Sequence, residues 1–171
     1  RDLDDPTLVK NIMVIVDHIG VDACRTKLEL TETTLMQQPE RAARALEACR
    51  LKGLSIAIVD FGAGYSSLGY LHQFPIDTLK IARSFIMAMR DDSRSMKIVQ
   101  SVLSMAEDLN IPVVAEGVET AEDAAILRDM GCAFGQGSFF ARPLPRRDAM
   151  ALLNSWQAPE VMRAPMRAAA G

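Results

Sequence analysis

The feature that most limits what this chain can become is its regular succession of short apolar strands and amphipathic helices. Extended stretches are expected at residues 26–32, 54–60, 78–82, 112–116 and 132–136, and a helical pattern follows each of them. Short β-branched strands joined by helices read as parallel neighbours, because a parallel connection needs a crossover long enough to hold a helix. The fold class is therefore α/β. A doubly wound sheet and a (β/α)8 barrel both fit this pattern. A complete barrel takes about 250 residues, so the 171 residues here would supply only part of one.

Local signals place the boundaries. Asp5 and Pro6 form a helix start, with Leu8, Val9, Ile12, Met13, Val16 and Ile19 recurring at helical spacing up to Gly20. LELTET at 28–33 reads as extended, with Leu28 and Leu30 on one face and Glu29 and Thr31 on the other. Pro39 opens a second helix, with Ala42, Ala45, Leu46 and Cys49 inward and Gly53 as its stop. A short helix is expected around Ser66 to Gln73. A long one follows at 94–109, with Met96, Val99, Leu103 and Ala106 inward. Thr120 and Asp123 form a capping box, and Pro145 starts a last helix ending near Trp156. The expected domain is 1–156, followed by a loose tail at 157–171 without a periodic apolar face. The chain opens on a helix cap, with no strand and no initiator methionine before it, as a piece of something longer would.

Composition removes several function classes. A formal net charge of -3 gives no electrostatic footprint for DNA or RNA, which calls for clustered positive charge. No apolar run reaches the roughly 18 residues of a membrane span, so direct membrane contact is not expected. Cys24, Cys49 and Cys132 are odd in number and form no C-x-x-C pair, which suits reduced thiols in a cytoplasmic protein.

In both candidate architectures, ligands bind beyond the C-terminal ends of the strands. The polar residues at those ends are Glu29, Glu32, Asp60, Lys80, Glu116, Glu119 and Gln136. Carboxylate oxygens suit Mg2+, Mn2+ or Ca2+ rather than zinc. A lysine among them, Lys80 in a strand otherwise made of Leu79 and Ile81, either neutralises carboxylates or meets a phosphate. The turn FGAG at 61–64 lacks the dinucleotide fingerprint. The N–H groups of the helix opening at Tyr65, Ser66 and Ser67 could face an anion.

Four stretches carry a resemblance: LELTET (28–33), IVDFGAGYSSLGYLHQFPIDTLKIARSF (58–85), VVAEGVET (113–120) and GCAFGQGSFFARPL (131–144). In order and spacing they resemble the later motifs of the EAL domain family, the phosphodiesterases that open cyclic di-GMP to pGpG. The resemblance implies an incomplete TIM-like (β/α)8 barrel of about five βα units, and a site for Mg2+ or Mn2+. It implies Glu29, Asp60 and Glu116 as metal ligands, Lys80 as the residue orienting the attacking water, and Glu32 as a brace for the loop after the DFGAG strand. Glu119 matches the second acid of EGVE, and Gln136 a ligand-pocket glutamine.

Three departures accompany the likeness. The family's opening strands have no counterpart. The first of two paired aspartates is Val59, and the acid expected after LKI is Ala82. These imply a degenerate domain with weak or absent metal binding, acting as a cyclic di-GMP sensor or a regulatory interaction module. The alternative is an active phosphodiesterase completed by a longer parent or a second chain. Two uncovered sheet edges imply self-association or a partner that completes the barrel.

Overall fold

The computed structural model describes residues 5, 7–63 and 71–159. Among these, five strands and seven α-helices alternate. The chain divides into two compact units, Arg1–Lys80 and Ile81–Gly171.

In the first unit, α1 (Leu8–Ile19) is capped at Gly20, whose φ of 71° suits a residue without Cβ. Its start differs from the expected one. The Asp5 carboxylate accepts the Thr7 N–H (2.8 Å) and hydroxyl (2.7 Å), and this local turn delays the helix to Leu8. Strand β1 (Lys27–Thr31) runs parallel to β2 (Ser55–Phe61), with Lys27 opposite Ser55 and Thr31 opposite Val59. The extended stretch stops earlier than its pattern suggested. The Thr31 side chain accepts the Thr34 N–H and caps a short helix, α2 (Glu32–Gln37), so Glu32 sits on a helix rather than a strand.

Helix α3 (Pro39–Arg50) starts on its proline and buries Ala42, Leu46 and Cys49, as expected. Ile56, Ala57 and Ile58 are buried in succession, the mark of a strand covered on both faces. Asp77 clips the chain leading into β3 (Thr78–Ile81): its N–H donates to the Ile56 carbonyl and its carboxylate accepts the Ile56 N–H.

The second unit holds α4 (Arg83–Ala88), α5 (Ser93–Asp108), β4 (Val113–Glu116), α6 (Ala121–Asp129), β5 (Phe134–Gln136) and α7 (Arg146–Ser155). Helix α4 left no sequence signal, because six residues are too few to show a period. Val99, Leu103 and Ala106 of α5 are buried, but Met96 is only half-buried. Ser95 is buried beside it, its hydroxyl held 2.6 Å from the Asp92 carboxylate. β4 and β5 are parallel, with Glu116 opposite Gln136. The Thr120–Asp123 capping box is present, while α7 buries none of its residues. The expected turn helix at Ser66 falls largely on residues 64–70, outside the described residues, as does most of the tail. No helix among the described residues is long and apolar enough to cross a membrane.

Two outcomes follow. Thr120→Ala removes one half of the capping box and should lower stability by about 1 kcal/mol, read as a lower urea midpoint at unchanged slope. At the α5 cap, the Ser95 hydroxyl first, then the N–H groups of Arg94 and Ser95, hold the Asp92 carboxyl below its ordinary 3.8. A lowered folded pKa means the cap's contribution is present above 3.8 and fades as pH falls through the folded value. The gap in melting temperature between the natural chain and Asp92→Ala should therefore narrow as pH drops below 3.8.

Candidate functional site

The site residues expected from the sequence fall into two sets, one in each unit. In the first unit the sheet runs β1-β2-β3, and Thr78, Leu79 and Lys80 are all buried. An ammonium in such a strand has to be met by charge or hydrogen bonds. The Lys80 Nζ lies 2.9 Å from Glu29 Oε1, with side chains 8% and 48% exposed. Two residues earlier on both strands, the Lys27 Nζ donates to Thr78 Oγ1 at 2.7 Å. Both bonds link β1 to β3 across β2. The β2 residues opposite Lys27 and Glu29 are Ser55 and Ala57, whose small side chains leave room for the long ones to meet.

Glu32 is 3% exposed. Its Oε2 accepts the Gly62 N–H at 3.2 Å, while its Oε1 is buried without a hydrogen-bond partner among the described residues. It thus holds the turn that follows β2. At the end of that strand Asp60 has φ 54°, a left-handed backbone, and the Ala63 N–H donates back to its carbonyl. The alternation of strand faces therefore ends between Val59 and Asp60. The possible anion site at Tyr65–Ser67 lies outside the described residues.

In the second unit a cleft of about 400 Å³ is lined by Arg83, Glu116, Gly117, Glu119, Gln136 and Ser138, with Gly137 beside them. The N–H groups of Gly117 and Val118 both donate to the Gln136 carbonyl. Gly117 has φ 79°, and a Cβ there would strike the Arg83 side chain; a Cβ on Gly137 would strike the Val118 backbone. The cleft is thus built by close backbone approach. Arg83 donates to Glu119 and, through Nε, to Met87 Sδ. Both members of that ion pair are well exposed, so it is worth at most about 1 kcal/mol. Sequence reasoning missed Arg83; its signal was a basic residue directly after the β3 strand end. Ala82 next to it caps α4 without a side-chain hydrogen bond and is buried.

Metal ligation was expected from Glu29, Asp60 and Glu116. Among the described residues no three His, Cys, Asp or Glu side chains are grouped so as to hold a metal ion. Glu29 is engaged by Lys80, and Val59 and Ala82 bring no side-chain oxygen. Burial pushes the Cys49 and Cys132 thiols up, and the Asp22 hydrogen bond raises that of Cys24.

Comparison with known proteins bears on these residues. The chain matches the EAL domain family over residues 1–143. It is similar to the cyclic di-GMP phosphodiesterase NbdA of Pseudomonas aeruginosa, 45% identical over 139 residues, which cover 81% of this chain and 18% of NbdA. The chain thus spans less than a fifth of that relative. Among solved structures it is similar to the PaMucR phosphodiesterase in complex with c-di-GMP, at 34% identity and a TM-score of 0.83, covering 86% of this chain and 60% of that one. It is also similar to Klebsiella pneumoniae BlrP1 in a manganese and cy-diGMP complex, at 35% identity and a TM-score of 0.76, covering 83% and 36%. The fold class is accordingly α/β, five βα units of the TIM-like barrel type.

The geometry of the first unit generates two outcomes. Ala57→Leu should cost about 1–3 kcal/mol through overpacking and separate Lys80 from Glu29, read in urea unfolding. Glu32→Ala should leave the fold intact yet speed Gly62 amide exchange about tenfold, read by hydrogen-exchange NMR.

Proposed function

The chain belongs to the EAL domain family, and from that premise we propose that it is a catalytically inactive EAL domain of cyclic di-GMP signalling, serving as a nucleotide sensor or a regulatory interaction module. The observation that carries this reading is Val59. In a two-metal site, a shared carboxylate offsets the repulsion of ions roughly 3.5–4 Å apart and fixes the water between them. Valine has neither charge nor lone pairs. Asp60 follows it on left-handed backbone, where the regular geometry of a strand no longer sets its direction. Ala82 brings no oxygen, and Glu29 is engaged by Lys80.

What remains suits binding better than hydrolysis. The second unit keeps a cleft with Gln136, Arg83 and two carboxylates, Glu116 and Glu119. Lys80 keeps its place beside Glu29. Cyclic di-GMP is the ligand bound in the complexes of these solved relatives, and it is the one to test here.

A second reading is favoured by one observation, the 45% identity to a phosphodiesterase of which this chain spans 18%. Under it, the remaining catalytic groups come from a longer parent or a second chain, and the divalent metal with them.

Incubation with cyclic di-GMP and excess Mn2+, followed by chromatography for pGpG, separates the two. No product is expected, and Val59→Asp alone should not create activity, since Ala82 still supplies no ligand. Turnover of about 1 per second or faster would overturn inactivity and favour the second reading. Calorimetry with cyclic di-GMP then distinguishes the roles: heat of binding without product marks a sensor, and its absence marks an interaction module.

A further inference from the structure

The guanidinium of Arg83 is held from two sides, and one of its holders can be oxidised. Arg83 opens α4, and its Nε–H donates to the Sδ of Met87, one helical turn further on, at 3.2 Å. Its Nη2 reaches the other way, to Glu119. Between the two, the stem has no room to slide, because a Cβ on Gly117 would strike Arg83 at Cβ, Cγ and Cδ. Of the methionines among the described residues, Met87 and Met150 are the exposed ones, and Met87 touches a residue that lines the second-unit cleft. Arg83, Met87, Gly117 and Glu119 all belong to that unit. Their contacts are made within the chain and rest on no open sheet edge.

We propose that Met87 is a site of modification by peroxides, and that its sulfoxide draws Arg83 off Glu119 and weakens the hold of the cleft on an anionic ligand. With hydrogen peroxide, a lone pair of Sδ attacks one oxygen and the O–O bond breaks. An S–O bond forms, and the thioether is oxidised by two electrons. The proton on the transferred oxygen passes to the departing hydroxide, which leaves as water.

The product changes what Arg83 meets. A thioether sulfur is a weak acceptor, and once oxidised it is positively polarised and accepts no longer. The strong acceptor is then the new oxygen, one bond length from Sδ, and the Nε–H has to be re-aimed to reach it. Gly117 closes off movement of the stem, so the guanidinium swings and takes Nη2 with it. The Arg83–Glu119 pair does not resist, since both side chains are well exposed and such pairs contribute little. Among the residues lining the cleft, Arg83 carries positive charge and Glu116 and Glu119 negative. With Arg83 turned toward α4, Glu119 loses its counter-charge and repels an anion such as a phosphodiester. The loss of affinity rests on the reading of this cleft as a binding site for cyclic di-GMP; the displacement of Arg83 does not.

The test treats the 171-residue chain with dilute hydrogen peroxide and locates the oxidised methionines by peptide mass spectrometry. The Arg83 Nε–H resonance, identified by its loss in Arg83→Lys, is followed by NMR. Met87 should gain one oxygen, and the resonance should move. Methionine sulfoxide reductases acting on both epimers should return it. In Met87→Leu, where Met150 is still oxidisable, the same treatment should leave the Arg83 resonance where it starts. Calorimetry then reads the cleft: oxidation should weaken cyclic di-GMP binding about fivefold or more in the natural chain and leave that of Met87→Leu unaltered. Conversion of Met150 while Met87 resists would overturn the proposal. So would an Arg83 resonance that stays in place, or an affinity that holds, when Met87 is fully converted. A chain that gives no heat with cyclic di-GMP before oxidation overturns the sensor reading and the affinity clause with it, while the Arg83 resonance decides the modification.

Discussion

A charged ammonium set into a buried strand is the constraint around which the first unit is arranged. Lys80 is 8% exposed in its side chain and flanked by the fully buried Leu79. Its desolvation has to be offset by negative charge, and Glu29, a carboxylate that reaches it, stands on β1 with β2 between them. That demand propagates outward. β2 has to present small side chains where the bond passes, and it has Ala57 opposite Glu29 and Ser55 opposite Lys27. β1 has to be held in one register, because a slip by one residue would move Glu29 to the other face. The Lys27–Thr78 bond, two residues back on both strands, reinforces the same alignment. Polar pairs of this kind contribute less to net stability than to specifying a single arrangement.

Much of this frame was legible in the sequence, because it rests on period and on local chemistry. The strand positions follow from short apolar runs, and α3 from Pro39, its Ala42–Leu46–Cys49 stripe and Gly53. The α6 capping box follows from Thr120 and Asp123, which need only each other and the backbone. What escaped was set by competition or by brevity. Thr31 could continue the strand or cap a helix; its side chain captures the Thr34 N–H, so Glu32 becomes helical. Asp5 caps nothing further along, because it is spent on Thr7. Helix α4 is too short to show a stripe.

The site was legible as a list of residues and not as their bonds. Lys80 stood out as a charge in an apolar strand, but its partner could not be chosen among several carboxylates without the strand order. Arg83 carried only a positional hint. Its role in the second-unit cleft depends on Gly117 and Gly137 admitting close approach, which is a property of backbone geometry rather than of composition. The left-handed backbone of Asp60 likewise has no signature in residue type alone, beyond the tolerance of aspartate for positive φ.

The retained residues and the substituted ones differ in what the fold asks of them. Glu29 and Lys80 neutralise each other, Glu32 holds the Gly62 N–H, and Glu119 receives Arg83. Removing either of the first two contacts leaves a buried group worse solvated, whereas Arg83, well exposed, would turn to water. Val59 and Ala82 stand in a different position. Val59 fits a half-buried strand position opposite Thr31, where a β-branched side chain is well suited. Ala82 is buried and fills its place without leaving a polar atom to satisfy. An acid at either position would meet repulsion from neighbouring carboxylates or a desolvation cost unless a cation offset it. Glu29, Glu32 and Glu119 therefore each have a partner in the fold, and their presence is by itself no measure of catalysis. A carboxylate that answers a buried ammonium, an amide or a guanidinium is explained before any metal is invoked.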